Sequence, residues 1–242
     1  MDLKKLAARL IPDENLPSLE DCEKAYPPRK LKQGAEVTRL APSPTGFIHL
    51  GNLYSALADE RTAHTTDGIF YLRIEDTDEK RKVDGAVESV IRSLKYFGVN
   101  FDEGAEIDGE NAYGPYYQRR RAPIYRAFAK DLIERGLAYP CFCTEEELDE
   151  IRKIQTEKKE VTGYYGAYAV WRDKSEEEIY AALDAGKPFV IRLRSQGDVN
   201  IKHTFRDAIK GSITVTENNQ DVVILKSDGI PTYHFAHAID DH

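Results

Sequence analysis

The sequence is poor in cysteine, methionine and tryptophan, with three, one and one of each. Cys22, Cys141 and Cys143 are too few and too unevenly placed for a disulfide framework, so reduced thiols in a cytoplasmic protein are expected. No apolar run approaches the length of a membrane span, and Met1-Asp2-Leu3-Lys4-Lys5 does not open a signal-peptide core. Excess positive charge is also missing. Lys and Arg number 34 against 42 Asp and Glu, a formal net charge of −8. That excludes a surface coated in basic side chains for nonspecific nucleic-acid binding, while leaving room for a local basic groove. What is present is 242 residues, 41% hydrophobic and 31% charged, enough for a sizeable core and one or two domains.

One stretch organises the rest: Arg39-Leu40-Ala41-Pro42-Ser43-Pro44-Thr45-Gly46-Phe47-Ile48-His49-Leu50-Gly51-Asn52. Val37 to Leu40 reads as a short apolar strand. Pro42, Pro44 and Gly46 then hold a stiff loop. From Asn52, Leu53, Leu57 and the alanines between recur at helical spacing. A strand, a rigid loop and a helix N-terminus gather free N–H groups and the positive end of a helix dipole, which makes an anion site. His49 adds a donor, and Gly51 lets a phosphate approach the backbone.

Residues 1–34 read as an appendage: Leu3, Leu6, Ala7 and Leu10 form one face of a helix ended by Pro12. After the turn Thr66-Asp67-Gly68, Ile69 to Ile74 is a nearly continuous apolar run with one arginine, as for a buried parallel strand. It ends in Glu75-Asp76-Thr77-Asp78, at the end of the strand where a doubly wound sheet places its ligand crevice. The spacing predicts a helix over 83–97, with Val83, Ala86, Val87, Val90, Ile91, Leu94 and Phe97 on its core face, then a loop over 100–117. From Gln118 the pattern becomes mixed. A helix with Ile124, Phe128 and Leu132 ends at Gly136, and an extended run covers Ala138 to Cys143. Capping boxes at Thr144 and Ser175 open two more helices. Phe189 to Arg194 and Ile213 to Val215 read as strands. Val222 to Leu225 is a short buried strand, expected to return to the first sheet. Thr232 is expected to cap a final helix.

Several clusters carry chemistry with open alternatives. Glu75 could serve a metal, act as a base or clamp a ligand. Next to the anion-binding loop the clamp is favoured. Arg39 can hold a carboxylate bidentately or form an ordinary ion pair. Cys141-x-Cys143 offers half of a zinc site, but a structural zinc needs four ligands and Tyr164, Tyr165 and Tyr168 are poor ones. Gln118-Arg119-Arg120-Arg121 puts three guanidinium groups at a helix start, where phosphate contact is a reasonable use. Tyr233 and His237 lie one turn apart on the last helix.

The motifs R-L-A-P-S-P-T-G-F-I-H-L-G-N, Y-L-R-I-E-D-T-D, Y-G-P-Y-Y-Q, C-F-C-T-E-E-E-L-D-E-I-R and V-V-I-L-K-S-D-G-I-P-T-Y-H-F-A-H stand in one order from about Glu36 to His242. Together they resemble the bacterial glutamyl-tRNA synthetases of class I. The glutamine enzymes are similar but read P-P-E-P-N-G in the first motif and lack R-I-E-D-T-D. The resemblance implies an α/β fold, a Rossmann-type parallel-sheet domain interrupted by an α+β insertion that binds the tRNA acceptor stem. On that basis the expected division is an appendage over 1–34, catalytic parts over 35–116 and 222–242, and the insertion over 117–221. It implies that Arg39, Ala41, Ser43, Glu75, Tyr233 and His237 bind glutamate. Thr45, Gly46, His49, Gly51 and Asn52 would hold ATP with Mg2+. His49 and Arg39 are the catalytic candidates, and Gln118, Arg119 and Arg121 would meet tRNA(Glu).

Three departures qualify the resemblance. Tyr168 stands where zinc-bearing members supply a third cysteine, so no zinc is expected. Arg119 replaces the serine of Q-S-x-R. The chain ends before the family's lysine-containing K-x-S-K loop and anticodon-binding domain, and Lys226-Ser227-Asp228 is not that loop. Impaired activity and self-association through an unpaired sheet edge and an apolar face are therefore expected of the chain alone. The alternatives are a glutamyl-transferring tRNA-modifying enzyme, a noncatalytic tRNA-binding module and a generic H-x-G nucleotidyltransferase.

Overall fold

The computed structural model describes residues 2–12, 16–105 and 113–242. Part of the expected 100–117 loop, 106–112, lies outside them. The first half of the chain runs α1 (Leu3–Leu10), α2 (Leu19–Ala25), β1 (Val37–Leu40), α3 (Leu50–Thr65), β2 (Ile69–Leu72), α4 (Ala86–Tyr96) and β3 (Glu103–Gly104). Next come α5 (Ala122–Glu134), β4 (Ala138–Cys141), α6 (Glu145–Glu157), α7 (Glu176–Asp184) and β5 (Val190–Leu193). The last elements are β6 (Lys202–Asp207), β7 (Gly211–Thr216), β8 (Val223–Leu225) and α8 (Tyr233–Asp240). These fall into two compact units. One comprises Met1–Glu14 with Phe128–Ala238, the other Asn15–Ala127 with Ile239–His242.

The unit containing residues 15–127 is built on a parallel sheet ordered β1-β2-β3. Val37 pairs with Ile69, Leu40 with Leu72, and Leu72 with Gly104. Phe70, Leu72, Leu94, Ala56 and Ala63 are fully buried between strands and helices. Each large apolar side chain there contributes about 1.5–3 kcal/mol. Helix α3 turns Ala56, Glu60 and Ala63 inward, and the two alanines let it lie close to β1 and β2. Its other side is open: Leu50 is 79% exposed and Tyr54 73%. The buried Glu60 carboxylate accepts the Asn100 N–H at 3.0 Å.

The helix expected over 83–97 is shorter at both ends. Gly85 has φ +75°, outside the helical region, so α4 begins at Ala86. The Val83 N–H is engaged elsewhere, donating to Pro44 O at 2.8 Å. Phe97 follows the last turn and is exposed, not core. Part of the expected appendage is tied to the sheet. Arg29 forms a two-pronged salt bridge with Glu103 at 2.6 and 2.8 Å, stacks on Tyr113, and shares Glu103 with the Tyr116 hydroxyl.

The other unit carries an antiparallel sheet ordered β4-β5-β8 and a separate β6-β7 hairpin. Strand β8 pairs with β5, not with the first sheet as expected. Its three residues bring no pattern that distinguishes a parallel partner from an antiparallel one. Both expected capping boxes form. Thr144 and Ser175 each exchange side-chain and backbone bonds with Glu147 and Glu178, respectively. The Thr232 carbonyl accepts the Ala236 N–H at 3.0 Å at the start of α8, while its hydroxyl donates to Val223 O at 2.8 Å. Leu6, Ala7 and Leu10 of α1 are buried, and Arg9 pairs with Asp184 of α7. Asp221 is a hub: its fully buried carboxylate accepts from Tyr139 Oη at 2.5 Å, from the Ser195 N–H at 2.8 Å and from Arg172.

Asp221→Ala would strip Arg172 of its counter-ion and Tyr139 of its acceptor and should cost about 3–5 kcal/mol of unfolding free energy. Ser175→Ala, which loses one cap, should cost about 1 kcal/mol. Urea titration read by circular dichroism distinguishes the two. Glu103 adds a pH dependence. Burial opposes its ionisation, but the bonds from Arg29 and Tyr116 outweigh that and lower its pKa. A lowered carboxyl contributes its full stability above its unfolded value, about 4.3, and loses it as pH falls through the folded one. The urea midpoint of Glu103→Gln should therefore lie below wild type at pH 7, with the gap closing at pH below about 4.

Candidate functional site

The loop after β1 runs beside the segment after β2. Leu40, Pro42 and Pro44 carbonyls accept the N–H groups of Arg73, Glu75 and Val83 at 3.0, 3.0 and 2.8 Å. The two motifs separated by 30-odd positions are thus joined by backbone at the carboxyl edge of the parallel sheet. Pro44 is buried, Ala41, Thr45 and Gly46 are half-buried, and Ser43 is exposed. The loop ends at His49, the N-cap of the 16-residue helix α3. His49 Nδ1 accepts the Gly51 N–H at 3.2 Å, and the Asn52 side-chain oxygen accepts the His49 N–H at 3.4 Å. A neutral imidazole that accepts at Nδ1 carries its proton on Nε2, which leaves Nε2 as a donor. Gly51 serves this arrangement directly, because a Cβ there would lie 3.1 Å from the imidazole.

Beside the loop stands a frame of alternating charges. Arg73, the one charge in the apolar run, has a side chain only 3% exposed. Its Nη1 donates to Asp241 Oδ1 at 2.7 Å and its Nη2 to Glu75 Oε1 at 3.4 Å, and its Nε lies 3.6 Å from Asp240 Oδ2. Asp241 also receives Arg39 through Nε at 3.1 Å and Nη2 at 2.8 Å. Asp240 is buried and accepts from Arg121 Nε at 2.7 Å, Gln118 Nε2 at 3.0 Å and Tyr125 Oη at 2.8 Å. Three guanidinium groups therefore face three carboxylates, a balanced set that can be buried. Burial would raise the Asp241 carboxyl, but the bonds from Arg39 and Arg73 win and hold it well below the usual carboxylate range.

The structure brings Arg39, Ala41, Ser43, Thr45, Gly46, His49, Gly51, Asn52 and Glu75 into one region of one unit. Tyr233 and His237 belong to the other unit, where their rings stack with centroids 4.1 Å apart. Two expected phosphate contacts need correction. Gln118 is 2% exposed and Arg121 8%, and both hold Asp240. A buried carboxylate engages them, so their polar atoms serve the frame. In the same turn Arg119 is half-buried, and Arg120 is exposed and lies over the Tyr117 ring. Cys141 and Cys143 both bond to the Tyr164 hydroxyl, at 3.4 and 3.5 Å. Tyr168 points its hydroxyl to Glu160, 2.6 Å away. Among the described residues no three His, Cys, Asp or Glu side chains gather as a metal site. A hydrogen bond from Cys143 pushes the Cys141 thiol below its ordinary pKa.

Sequence reasoning missed Arg73, Tyr125, Asp240 and Asp241. A signal existed for Arg73: a lone arginine inside an otherwise apolar strand must bring its own counter-charges.

Residues 36–242 match the family profile described as tRNA synthetases class I (E and Q), catalytic domain. A glutamate–tRNA ligase of Acetivibrio thermocellus is 56% identical over 245 residues, covering all of this chain and 44% of that protein. One of Sorangium cellulosum is 47% identical, over 92% of this chain and 42% of its own. Among solved structures, a glutamate tRNA ligase from Elizabethkingia meningosepticum, in complex with its amino acid, aligns with a TM-score of 0.76 at 37% identity. That alignment covers 87% of this chain and 42% of the other. The chain thus spans less than half the length of these relatives.

The charge frame makes a stability forecast. Asp240→Ala strips Arg121 of its buried counter-ion and should cost about 3–5 kcal/mol, against about 1 kcal/mol or less for removing the exposed Glu20 of the Lys24 pair. Urea unfolding of the two variants measures the difference.

Proposed function

The chain belongs to the catalytic-domain family of the class I tRNA synthetases for glutamate and glutamine, and from that premise we propose that the polypeptide carrying it is an ATP-dependent glutamate–tRNA ligase. One observation carries the choice of chemistry. Arg39 and Glu75 share a single frame beside the loop that opens α3. A cation and an anion so placed match an amino acid with a carboxylate side chain and an ammonium group. An adjacent helix N-terminus matches a phosphate chain.

In this reading Arg39 receives the substrate's side-chain carboxylate and Glu75 its ammonium, with Ala41 and Ser43 completing this part of the amino-acid site. Thr45, Gly46, Gly51, Asn52 and the His49 Nε2 proton hold ATP. ATP would bind with Mg2+ on its phosphates, where the ion would offset their charge. The glutamate α-carboxylate attacks the α-phosphorus and expels pyrophosphate. A ribose hydroxyl at the tRNA 3′ end then takes the glutamyl group from the adenylate. No side-chain nucleophile is needed. Holding the two reactants in line is worth roughly 7–11 kcal/mol, and N–H groups aimed at the phosphates stabilise the charge that builds there. Glutamine is rejected because its neutral amide gives Arg39 no charged acceptor and turns an N–H donor toward a guanidinium that can only donate. Residues 117–221 grip the tRNA(Glu) acceptor end, with Arg119 and Arg120 supplying phosphate contacts at the entry turn.

Glutamate-dependent exchange of labelled pyrophosphate into ATP tests this in the natural polypeptide that carries the sequence, with its tRNA present. Exchange should require glutamate, and glutamine should not replace it. Arg39→Ala should lower kcat/KM for glutamate by about 10²-fold, the loss of a charged two-pronged contact. Exchange supported equally by glutamine, or indifferent to Arg39, would overturn the assignment.

A further inference from the structure

Arg39 is not a free cation awaiting a ligand. Asp241 grips its Nε–Nη2 edge through both carboxylate oxygens, at 3.1 and 2.8 Å. Asp241 is itself anchored: its Oδ1 also takes the Arg73 Nη1 proton at 2.7 Å. Arg73 is immobilised in turn by Glu75 and the buried Asp240. The contrast in burial is informative. The Arg73 side chain is 3% exposed, whereas Arg39 and Asp241 are 29% and 37% exposed, at the open margin of the frame. A long arginine side chain in such a position would sample many rotamers. Confining it on ligand arrival carries an entropic cost of up to about 2 kcal/mol.

We propose that Asp241 is a positioning residue for the amino-acid site. It pre-orients the Arg39 guanidinium by holding one edge, so that an acidic side chain meets a guanidinium already aligned. The inference rests on the reading of Arg39 as the glutamate ligand. Asp241 acts through Arg39 and touches no substrate. It stays on Arg39 when glutamate binds, because leaving would also strip a bond from the buried Arg73. Its contribution lies in glutamate affinity, not in the handling of ATP.

A double-mutant cycle on L-glutamate binding tests this, using calorimetry on the natural polypeptide with Arg39→Ala, Asp241→Ala and the pair together. Asp241→Ala should weaken glutamate about tenfold and change ATP affinity by less than about twofold. The double variant should bind glutamate no worse than Arg39→Ala alone. Asp241→Glu, which retains the carboxylate, should recover part of the loss and controls for misfolding. If Asp241→Ala binds glutamate like wild type while Arg39→Ala does not, the positioning role is wrong and the Arg39 assignment stands. Fully additive losses, or equal losses for glutamate and ATP, would also overturn the role. If Arg39→Ala binds glutamate normally, or the wild-type polypeptide binds none, the underlying site assignment fails.

Discussion

A guanidinium buried in a protein must be neutralised where it sits, and Arg73 at the end of the second parallel strand is met by Glu75, Asp240 and Asp241. The layout of the candidate site follows from that requirement. Glu75 is drawn to the strand tip. The Asp240–Asp241 pair from the end of the chain must come to the sheet, and it brings Arg39 and Arg121 into the same set. Removing one member would strand a charge, so the geometry at the mouth of the sheet is set by electrostatic balance as much as by apolar packing.

The stiff loop works with that frame. Its two prolines limit the backbone, and its carbonyls pair with the strand extension that carries Arg73 and Glu75. The loop therefore delivers the N-terminus of α3 to the edge of the charged frame. His49 and Gly51 close the helix end in a way that assigns the imidazole proton to the outward nitrogen. In the proposed reading these become an amino-acid site and a phosphate site side by side, as a reaction between a carboxylate and a nucleotide phosphate needs, with positioning as the main source of rate.

Much of this was legible in the residues. The strand–loop–helix unit, the buried strand ending at Glu75 and both capping boxes announce themselves through proline, periodicity and the S/T-x-x-E spacing. Other features leave little trace. Strand β6 is missed because nearly all of Lys202–Asp207 is exposed, so no alternation of apolar and polar residues marks it. Strand β3 has two residues and no pattern at all. The start of α4 is misplaced because apolar periodicity continues through Val83, whose N–H is used by the loop; the glycine at 85 was the better signal. Gln118 and Arg121 read as phosphate contacts because burial cannot be seen in a run of polar residues. The distant Asp240 holds them both. Long-range charge pairing is the part of the site that a linear reading cannot supply.

The most direct measurement is a crystal structure of the natural polypeptide with a non-hydrolysable glutamyl-adenylate analogue. The account predicts the analogue's side-chain carboxylate about 3 Å from the Arg39 guanidinium, its ammonium at Glu75, and its phosphate mimic at the N-terminus of α3. An analogue bound away from Arg39 and Glu75, or lying with its side-chain carboxylate out of reach of Arg39, would contradict it.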